Sequence, residues 1–263
     1  MPATGDDFLW LHLKELPFFR ALLRSVEARL YQNLDLRPPV LDLGSGDGHF
    51  ASVAFGQAID VGVDPSSKAL REAMARSAYR LLLQAEGGKL PLRRGSFASI
   101  FSNSVLEHIP DIDAVLRELL RVARPGGRLV FTVPNPGYRS QLAVALALAR
   151  LGMPGLAHSY GSWFNRMSRV HHLDGEEKWI QRLEKAGFAR ISYTRYFSPA
   201  AMRVLEIGHF LGLPSLVARW LTGRWILWPS RANLRLTEAS IRLYYDEPPS
   251  PEGTFTLYVA HKE

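Results

Sequence analysis

A glycine-rich turn between two apolar segments is the part of this sequence best suited to binding chemistry. The apolar run Val40–Leu43 leads into a loop with glycine at positions 44, 46 and 48. We predict a buried strand that turns sharply into a helix, because glycine accepts open φ values and lets a ligand approach the backbone. A second apolar run ends on Asp64, twenty positions after Gly44. Its carboxylate is expected beside the loop, where it can accept hydrogen bonds from a ribose diol.

The spacing of the glycines distinguishes between two classes of nucleoside cofactor. A dinucleotide-binding loop has the pattern G-x-G-x-x-G, whereas the glycines here alternate. Asp42 precedes the first glycine by two positions, and Asp47 lies within the loop. These carboxylates would repel a pyrophosphate but attract the cationic methionine end of S-adenosylmethionine. The residues therefore favour S-adenosylmethionine, and a turn that serves packing alone is the competing interpretation.

Four motifs of the chain resemble those of the class I S-adenosylmethionine-dependent methyltransferases, in particular the small-molecule branch of type 11. The resemblance is close over residues 36–136 and looser over 171–188. Four motifs in the family's order are more specific than any one of them. They lie at residues 40–48, 90–92, 104–109 and 118–127.

The resemblance implies a role for residues at each portion of the cofactor. Asp42 and the loop 44–48 would hold the methionine portion, and Asp64 would accept from the ribose hydroxyls. The adenine contact is expected after the third strand, where Gln84 stands in place of the family's usual acidic residue. The candidates for this contact are the Gln84 amide oxygen, the Ala85 N–H and Glu86. Asn103 ends a predicted strand, where open α/β sheets bind ligands. The predicted cofactor-binding residues are Asp42, Gly44, Ser45, Gly46, Gly48, Asp64, Pro65, Gln84, Ala85, Glu86 and Asn103.

Three histidines are the candidate catalytic residues. Methyl transfer from a sulfonium mainly needs alignment and exclusion of water, and a base only where the acceptor loses a proton. His108, in the motif Leu-Glu-His-Ile, and the pair His171 and His172 could act as that base, since neutral imidazole is available near pH 7. Fixing the loop or lining the pocket is the alternative role for His108. No third ligand has recognisable spacing, so no metal site is predicted.

Composition restricts the class of protein further. The 263 residues, 47% of them hydrophobic, suffice for one substantial core. The chain has no cysteine, which excludes disulfides and a cysteine nucleophile. No apolar run reaches the roughly 18 residues of a spanning helix, and the acidic N-terminus is unlike a signal peptide. We expect a cytoplasmic protein, with peripheral membrane attachment as the alternative.

The net charge of +7 and the pI near 9.8 raise the question of an anionic partner. The basic residues are mostly arginine and are scattered along the chain instead of forming a block. We therefore expect no nucleic-acid partner, and an RNA acceptor is the weaker alternative.

Alternating strand and helix patterns predict the fold class. They indicate an α/β protein with a doubly wound, mostly parallel sheet. The family resemblance implies a Rossmann-like sheet of seven strands with an antiparallel last strand. We predict helices over residues 66–80 and 141–151 and an irregular segment over 152–170. Strands are predicted at residues 40–43, 61–64, 81–83, 100–102, 128–133, 189–196 and 254–260.

The chain is expected to be a single methyltransferase domain with five parts. They are N-terminal helices (1–35), a cofactor-binding core (36–137), a cap over the acceptor (138–170), the rest of the sheet (171–198 and 252–263) and a helical insertion (199–251). Tyr138, Tyr160 and Trp163 of the cap are expected to wall the pocket, with core packing as the alternative. The tryptophans and arginines of 199–230 are typical of a membrane-surface segment. Packing in a helical subdomain or a dimer contact is the alternative for them.

The predicted function is methyl transfer from S-adenosylmethionine to a small-molecule acceptor. The aromatic cap and apolar insertion favour a lipid-linked, quinone-like or sugar-containing metabolite. O-methylation is preferred, because residues 102–105 lack the Asn/Asp-Pro-Pro-Tyr motif of N-methyltransferases. A non-catalytic S-adenosylmethionine-binding protein and an NAD-dependent oxidoreductase are the alternatives. The sequence predicts no oligomeric state.

Overall fold

A seven-stranded sheet organises the residues that the computed structural model describes, 7–263. The strand order is β3-β2-β1-β4-β5-β7-β6, with β1 to β5 parallel and β7 antiparallel to both neighbours. The Rossmann-like, mostly parallel sheet with an antiparallel last strand is thereby confirmed. The strands are β1 (Val40–Leu43), β2 (Ile59–Asp64), β3 (Tyr79–Gln84), β4 (Phe97–Asn103), β5 (Ala123–Pro134), β6 (Phe188–Tyr196) and β7 (Phe255–Lys262).

Helices cover both faces of this sheet. Successive strand residues alternate between the faces, so Phe101 and Val130 join one core while Ile100 and Phe131 join the other. The helices are α1 (Phe8–Leu13), α2 (Phe18–Gln32), α3 (His49–Ala54), α4 (Ser67–Met74), α5 (Ile112–Val122), α6 (Gly137–Ser140), α7 (Ala143–Arg150), α8 (Pro154–Met167), α9 (Glu176–Ala186), α10 (Pro199–Leu211), α11 (Leu213–Thr222) and α12 (Arg231–Tyr245).

The helix predicted over 66–80 is wrong at its C-terminal end. Ser66 caps α4 as expected, since its hydroxyl accepts from the Ala69 N–H at 3.2 Å. The helix ends at Met74, however, and β3 begins already at Tyr79. Pairing of Tyr79 with Ile59 of β2 decides the boundary, and local periodicity contains no information about that partner.

The segment 152–170, predicted to be irregular, contains the helix α8. Pro154 stands in its first turn, where the missing N–H costs nothing. The helix buries only Gly161 and Phe164, so its apolar stripe is too narrow to produce a clear helical pattern.

The segment between β6 and β7 folds into α10, α11 and α12. Helices α10 and α12 pack against α2, whereas α11 buries none of its residues. No single helix within residues 7–263 is long and apolar enough to span a membrane. Helices α10 and α11, which meet at a bend of 52°, reach the required length and composition together.

Candidate active site

A cleft of about 820 Å³ lies at the carboxyl ends of β1, β2 and β4. The loops after these strands form its floor, as expected for an open α/β sheet. Side chains of α2 and the loop after α11 add Arg24 and Trp225 to its wall. The predicted residues that line it are Asp42, Gly44, Ser45, Gly46, Asp64, Pro65, Ala85, Glu86, Asn103 and His108.

The glycine loop adopts the backbone that its sequence predicts. Gly44, Gly46 and Gly48 have φ values of +81°, +55° and +73°. A Cβ on Gly44 would lie 2.5 Å from the side chain of Val105, whereas one on Gly46 would meet nothing within 4 Å. Gly44 therefore permits close packing, and Gly46 presents bare backbone to the cleft. Gly48 is the N-cap of α3 and lies outside the cleft lining.

Asp64 holds the loop against the end of β2. Its Oδ2 accepts from the Gly46 N–H at 3.0 Å, and its Oδ1 accepts from the Ser66 N–H at 2.8 Å. The carboxylate remains partly exposed to the cleft. Since a carboxylate has about four lone-pair sites, both oxygens can accept further hydrogen bonds from a ligand.

Asp42 is a buried carboxyl group in the floor of the cleft. Burial is the main cause that raises its pKa to about 7, and the neighbouring Asp64 charge acts in the same direction. A hydrogen bond of 2.6 Å from the Tyr79 hydroxyl opposes the shift. Tyr79 falls within the helix predicted over residues 66–80, so its contact with Asp42 was not predicted.

The three candidates for the adenine contact differ in whether they face the cleft. The exposed Gln84 side chain lies outside the cleft lining, and its amide donates to the Pro65 carbonyl at 3.0 Å. The Ala85 N–H donates to the Asp64 carbonyl at 3.3 Å. Glu86 lines the cleft. Of the two predicted side-chain acceptors, Glu86 is therefore the one that faces this space.

A buried carboxylate, Glu27 of α2, organises the wall beside Asn103. Its oxygens accept from the Asn103 amide at 2.8 Å and from the Ser104 hydroxyl at 2.6 Å. They also accept from Arg24 at 2.8 Å and from the Tyr196 hydroxyl at 3.0 Å. Glu27 is not among the predicted site residues. A charged residue four positions after Leu23, on the apolar face of α2, was the available signal.

A second cavity of about 180 Å³ adjoins the cleft. The two spaces share Arg24, His108 and two further lining residues. Glu107 faces the second cavity, is 2% exposed, and has no hydrogen-bond partner on Oε2 within the described residues. Burial raises its pKa to about 8, against the lowering effect of Arg24. The apolar part of the wall consists of Phe19, Leu23, Pro134, Tyr138, Val170, Leu205 and Phe255.

The three candidate histidines do not form one cluster. His108 lines both cavities, and its Nδ1 lies 2.8 Å from the Arg169 carbonyl. Since a carbonyl only accepts, the proton is assigned to Nδ1, and Nε2 is left as an acceptor 3.7 Å from Glu107. Partial burial lowers the pKa of His108. His171 lies outside both cavities, in a surface pocket that His108 also lines. His172 Nε2 lies 2.9 Å from the Ile109 carbonyl, also outside both cavities.

Of the three aromatic residues predicted to wall the pocket, one lines a cavity and two do not. Tyr138 lines the second cavity and donates to the Ser168 hydroxyl at 2.9 Å. Tyr160 donates to the buried Glu206 at 2.7 Å, and Trp163 is 45% exposed. Neither lines the two cavities. No group of three His, Asp or Glu side chains among residues 7–263 is arranged to hold a metal ion.

Residues 41–131 match the family model described as a methyltransferase domain. A malonyl-[acyl-carrier protein] O-methyltransferase of Legionella pneumophila is 31% identical over 136 residues, 48% of each chain. A demethylmenaquinone methyltransferase of Streptomyces avermitilis is 26% identical over 200 residues, 73% of this chain and 79% of the relative. The chain spans less than half the length of the first curated relatives that it matches.

The solved structures show the same fold. A SAM-dependent methyltransferase from Thermotoga maritima superposes with a TM-score of 0.57 at 18% identity, over 93% of this chain and 91% of the other. At this level of identity the likeness concerns the fold alone.

Proposed function

We propose that the protein is a class I S-adenosylmethionine-dependent methyltransferase that transfers a methyl group to a small molecule. The match of residues 41–131 to the methyltransferase-domain family model supports this proposal. One observation carries the proposal: the cleft over the glycine loop opens beside a second cavity with a partly apolar wall, and His108 lines both. A cofactor in the first space and an acceptor in the second would meet at that histidine.

The residues of the cleft fit S-adenosylmethionine. Bare backbone at Gly46 and the partly exposed Asp64 carboxylate suit close approach of an adenosyl group with its ribose diol. The methionine ammonium would lie near Asp42 and Asn103, and its carboxylate near Arg24. Pro65, Ala85 and Glu86 would flank the adenosine portion. When bound, the cofactor supplies an electrophilic methyl carbon, so the protein's task is to align the acceptor and exclude water.

The second cavity suits an acceptor with an apolar body and one hydroxyl group. Glu107 Oε2 has no hydrogen-bond partner within residues 7–263, and burial raises the pKa of this carboxyl to about 8. In its protonated form Glu107 would donate a hydrogen bond to the oxygen of a hydroxyl that enters the cavity. His108 would take the hydroxyl proton at Nε2, and the acceptor oxygen would become the nucleophile. His171 and His172, which lie outside both cavities, have a weaker claim to this role.

The acceptor we propose is a quinone-like or lipid-linked metabolite methylated on oxygen. The apolar side chains in the wall of the second cavity support an acceptor with an apolar part. Similarity to a demethylmenaquinone methyltransferase over most of that protein's length adds support for an aromatic acceptor.

Calorimetry with S-adenosylhomocysteine and with NAD⁺ tests the cofactor first. We expect binding of the former only; binding of NAD⁺ alone would favour an oxidoreductase. Transfer of labelled methyl to a panel of hydrophobic quinols and phenols then tests catalysis. S-Adenosylhomocysteine binding without transfer to any member of a broad acceptor panel would favour the non-catalytic alternative.

A further inference from the structure

The outer sides of α10 and α11 carry large apolar residues that remain exposed within residues 7–263. Their exposed fractions run from 42% for Phe210 to 83% for Trp220. We call this set the outer apolar face. It consists of Ile207, Phe210, Leu211, Leu213, Leu216, Val217, Trp220 and Leu221.

Helix α11 turns its apolar side outward, whereas a surface helix normally turns that side toward the core. Its apolar residues recur at positions 213, 216, 217 and 220, which is the spacing of one helical stripe. In a globular protein that stripe normally packs on the core, yet α11 buries no residue. Arg219 donates to Glu72 of α4 at 3.3 Å and lies 5.0 Å from the ring centre of Trp225. The polar side of α11 is therefore attached to the protein, and the apolar side faces outward.

The outer apolar face continues onto neighbouring segments. Trp163 of α8 stacks on Phe210 with ring centres 6.2 Å apart and planes 17° apart. Leu227 and Trp228, in the loop after α11, are also exposed. A contiguous apolar surface of this kind indicates an interaction site, because single exposed apolar residues are normal but clusters are not.

Positive charges predominate around this surface. Segments 137–170 and 199–237 contain nine arginines and one acidic residue, Glu206. Glu206 is buried and accepts from the Ala143 N–H and the Tyr160 hydroxyl. The surface is thus apolar with a cationic surround, and the exposed arginines are Arg150, Arg166, Arg169, Arg203, Arg224, Arg231 and Arg235.

We propose that the outer apolar face docks on the surface of an anionic lipid bilayer. Lipid phosphates complement the arginines, and tryptophan and leucine side chains suit the boundary between headgroups and acyl chains. A second copy of the chain would instead bring arginines against arginines. This inference does not depend on methyl transfer.

Docking would also bring the second cavity close to lipid. Leu205 and His209 of α10 line that cavity, while Phe210 and Leu211 of the same helix belong to the outer apolar face. One helix thus separates the cavity from the proposed bilayer surface.

Sedimentation of the full chain with vesicles tests the proposal. The vesicles contain phosphatidylcholine alone or with phosphatidylglycerol. We expect binding to the anionic vesicles that falls with added salt, and at least a tenfold loss of affinity in Leu216→Asp/Trp220→Asp. The matched control is Met74→Asp/Leu81→Asp, which alters two exposed apolar residues of α4 and β3 and should bind like the parent. Circular dichroism checks that each variant is folded.

Three results would overturn the proposal: no binding of the parent to anionic vesicles, equal binding of both double variants, or a dimer in light scattering that only Leu216→Asp/Trp220→Asp dissociates. Affinity for S-adenosylhomocysteine is measured on the same samples and should not change. If the parent does not bind S-adenosylhomocysteine, the proposed function is contradicted. The proposal of membrane docking is then still tested by vesicle binding alone.

Discussion

The Tyr79 hydroxyl donates to Asp42 across an intervening strand, at 2.6 Å. Tyr79 lies on β3 and Asp42 on β1, with β2 between them. The tyrosine ring passes over Gly62 of β2, where a Cβ would lie 2.8 Å from the ring. A glycine in the middle strand therefore allows an edge strand to supply the hydrogen-bond donor for a buried carboxyl group in the cleft.

Tyr79→Phe should destabilise the fold, because it removes a donor from the buried Asp42. We expect the free energy of unfolding at pH 8 to fall by about 1–3 kcal/mol, measured by urea denaturation. Tyr193→Phe, at a half-exposed tyrosine of β6, is the control and should change it little. An equal effect of the two substitutions would mean that the hydrogen bond contributes nothing.

Glu107→Gln should change the pH dependence of stability. The folded pKa is about 8 and the ordinary value is 4.5, so between these pH values the folded chain binds more protons than the unfolded chain. The free energy of unfolding of the parent therefore falls as pH rises. Over the same pH range, the free energy of unfolding of the variant should fall less steeply than that of the parent, by about 1 kcal/mol per pH unit. Urea titrations across this range measure it, and parallel curves would contradict the raised pKa.

Gly44→Ala should abolish cofactor binding in a chain that still folds. The new methyl group would meet Val105 at 2.5 Å and displace the loop, and the positive φ adds strain. We expect more than a tenfold loss of affinity for S-adenosylhomocysteine by calorimetry. Gly126→Ala is a matched control, since that residue also has a positive φ but meets nothing within 4 Å. Its affinity should equal that of the parent.

Asp64→Ala should weaken binding of S-adenosylhomocysteine by about 1–3 kcal/mol, because charge-assisted hydrogen bonds to the ribose are lost. Asp64→Asn keeps an acceptor oxygen and should lie between the parent and the alanine variant. Asp113→Ala, at a partly exposed residue of α5 outside the cleft lining, controls for the loss of one negative charge. Unchanged affinity in folded Asp64→Ala would reject the ribose assignment.

His108→Gln should slow methyl transfer roughly 10²- to 10⁴-fold with little change in S-adenosylhomocysteine affinity, because it removes the proposed base. His171→Gln should retain activity, since His171 lies outside both cavities. The pH profile of kcat is the decisive readout: its acidic limb should disappear in His108→Gln. If His171→Gln loses activity and His108→Gln does not, His171 and not His108 is the base.

The sequence alone determined the features that depend on neighbouring residues. Alternating glycines predicted the turn after β1, and the positive φ of Gly44, Gly46 and Gly48 agrees with that prediction. Strand and helix patterns, together with the resemblance, predicted the order and character of the sheet. These predictions succeed because backbone freedom and the burial of a strand are properties of short segments.

Tertiary structure decided what depends on residues far apart in the chain. Glu27 meets Tyr196 over 169 positions, and Tyr79 meets Asp42 over 37. The sequence likewise predicted a helical insertion over residues 199–251, but the contact of Arg219 with α4 decides that the apolar stripe of α11 faces outward. Such contacts form because chain topology brings the partners together, and no local pattern of residues contains that information.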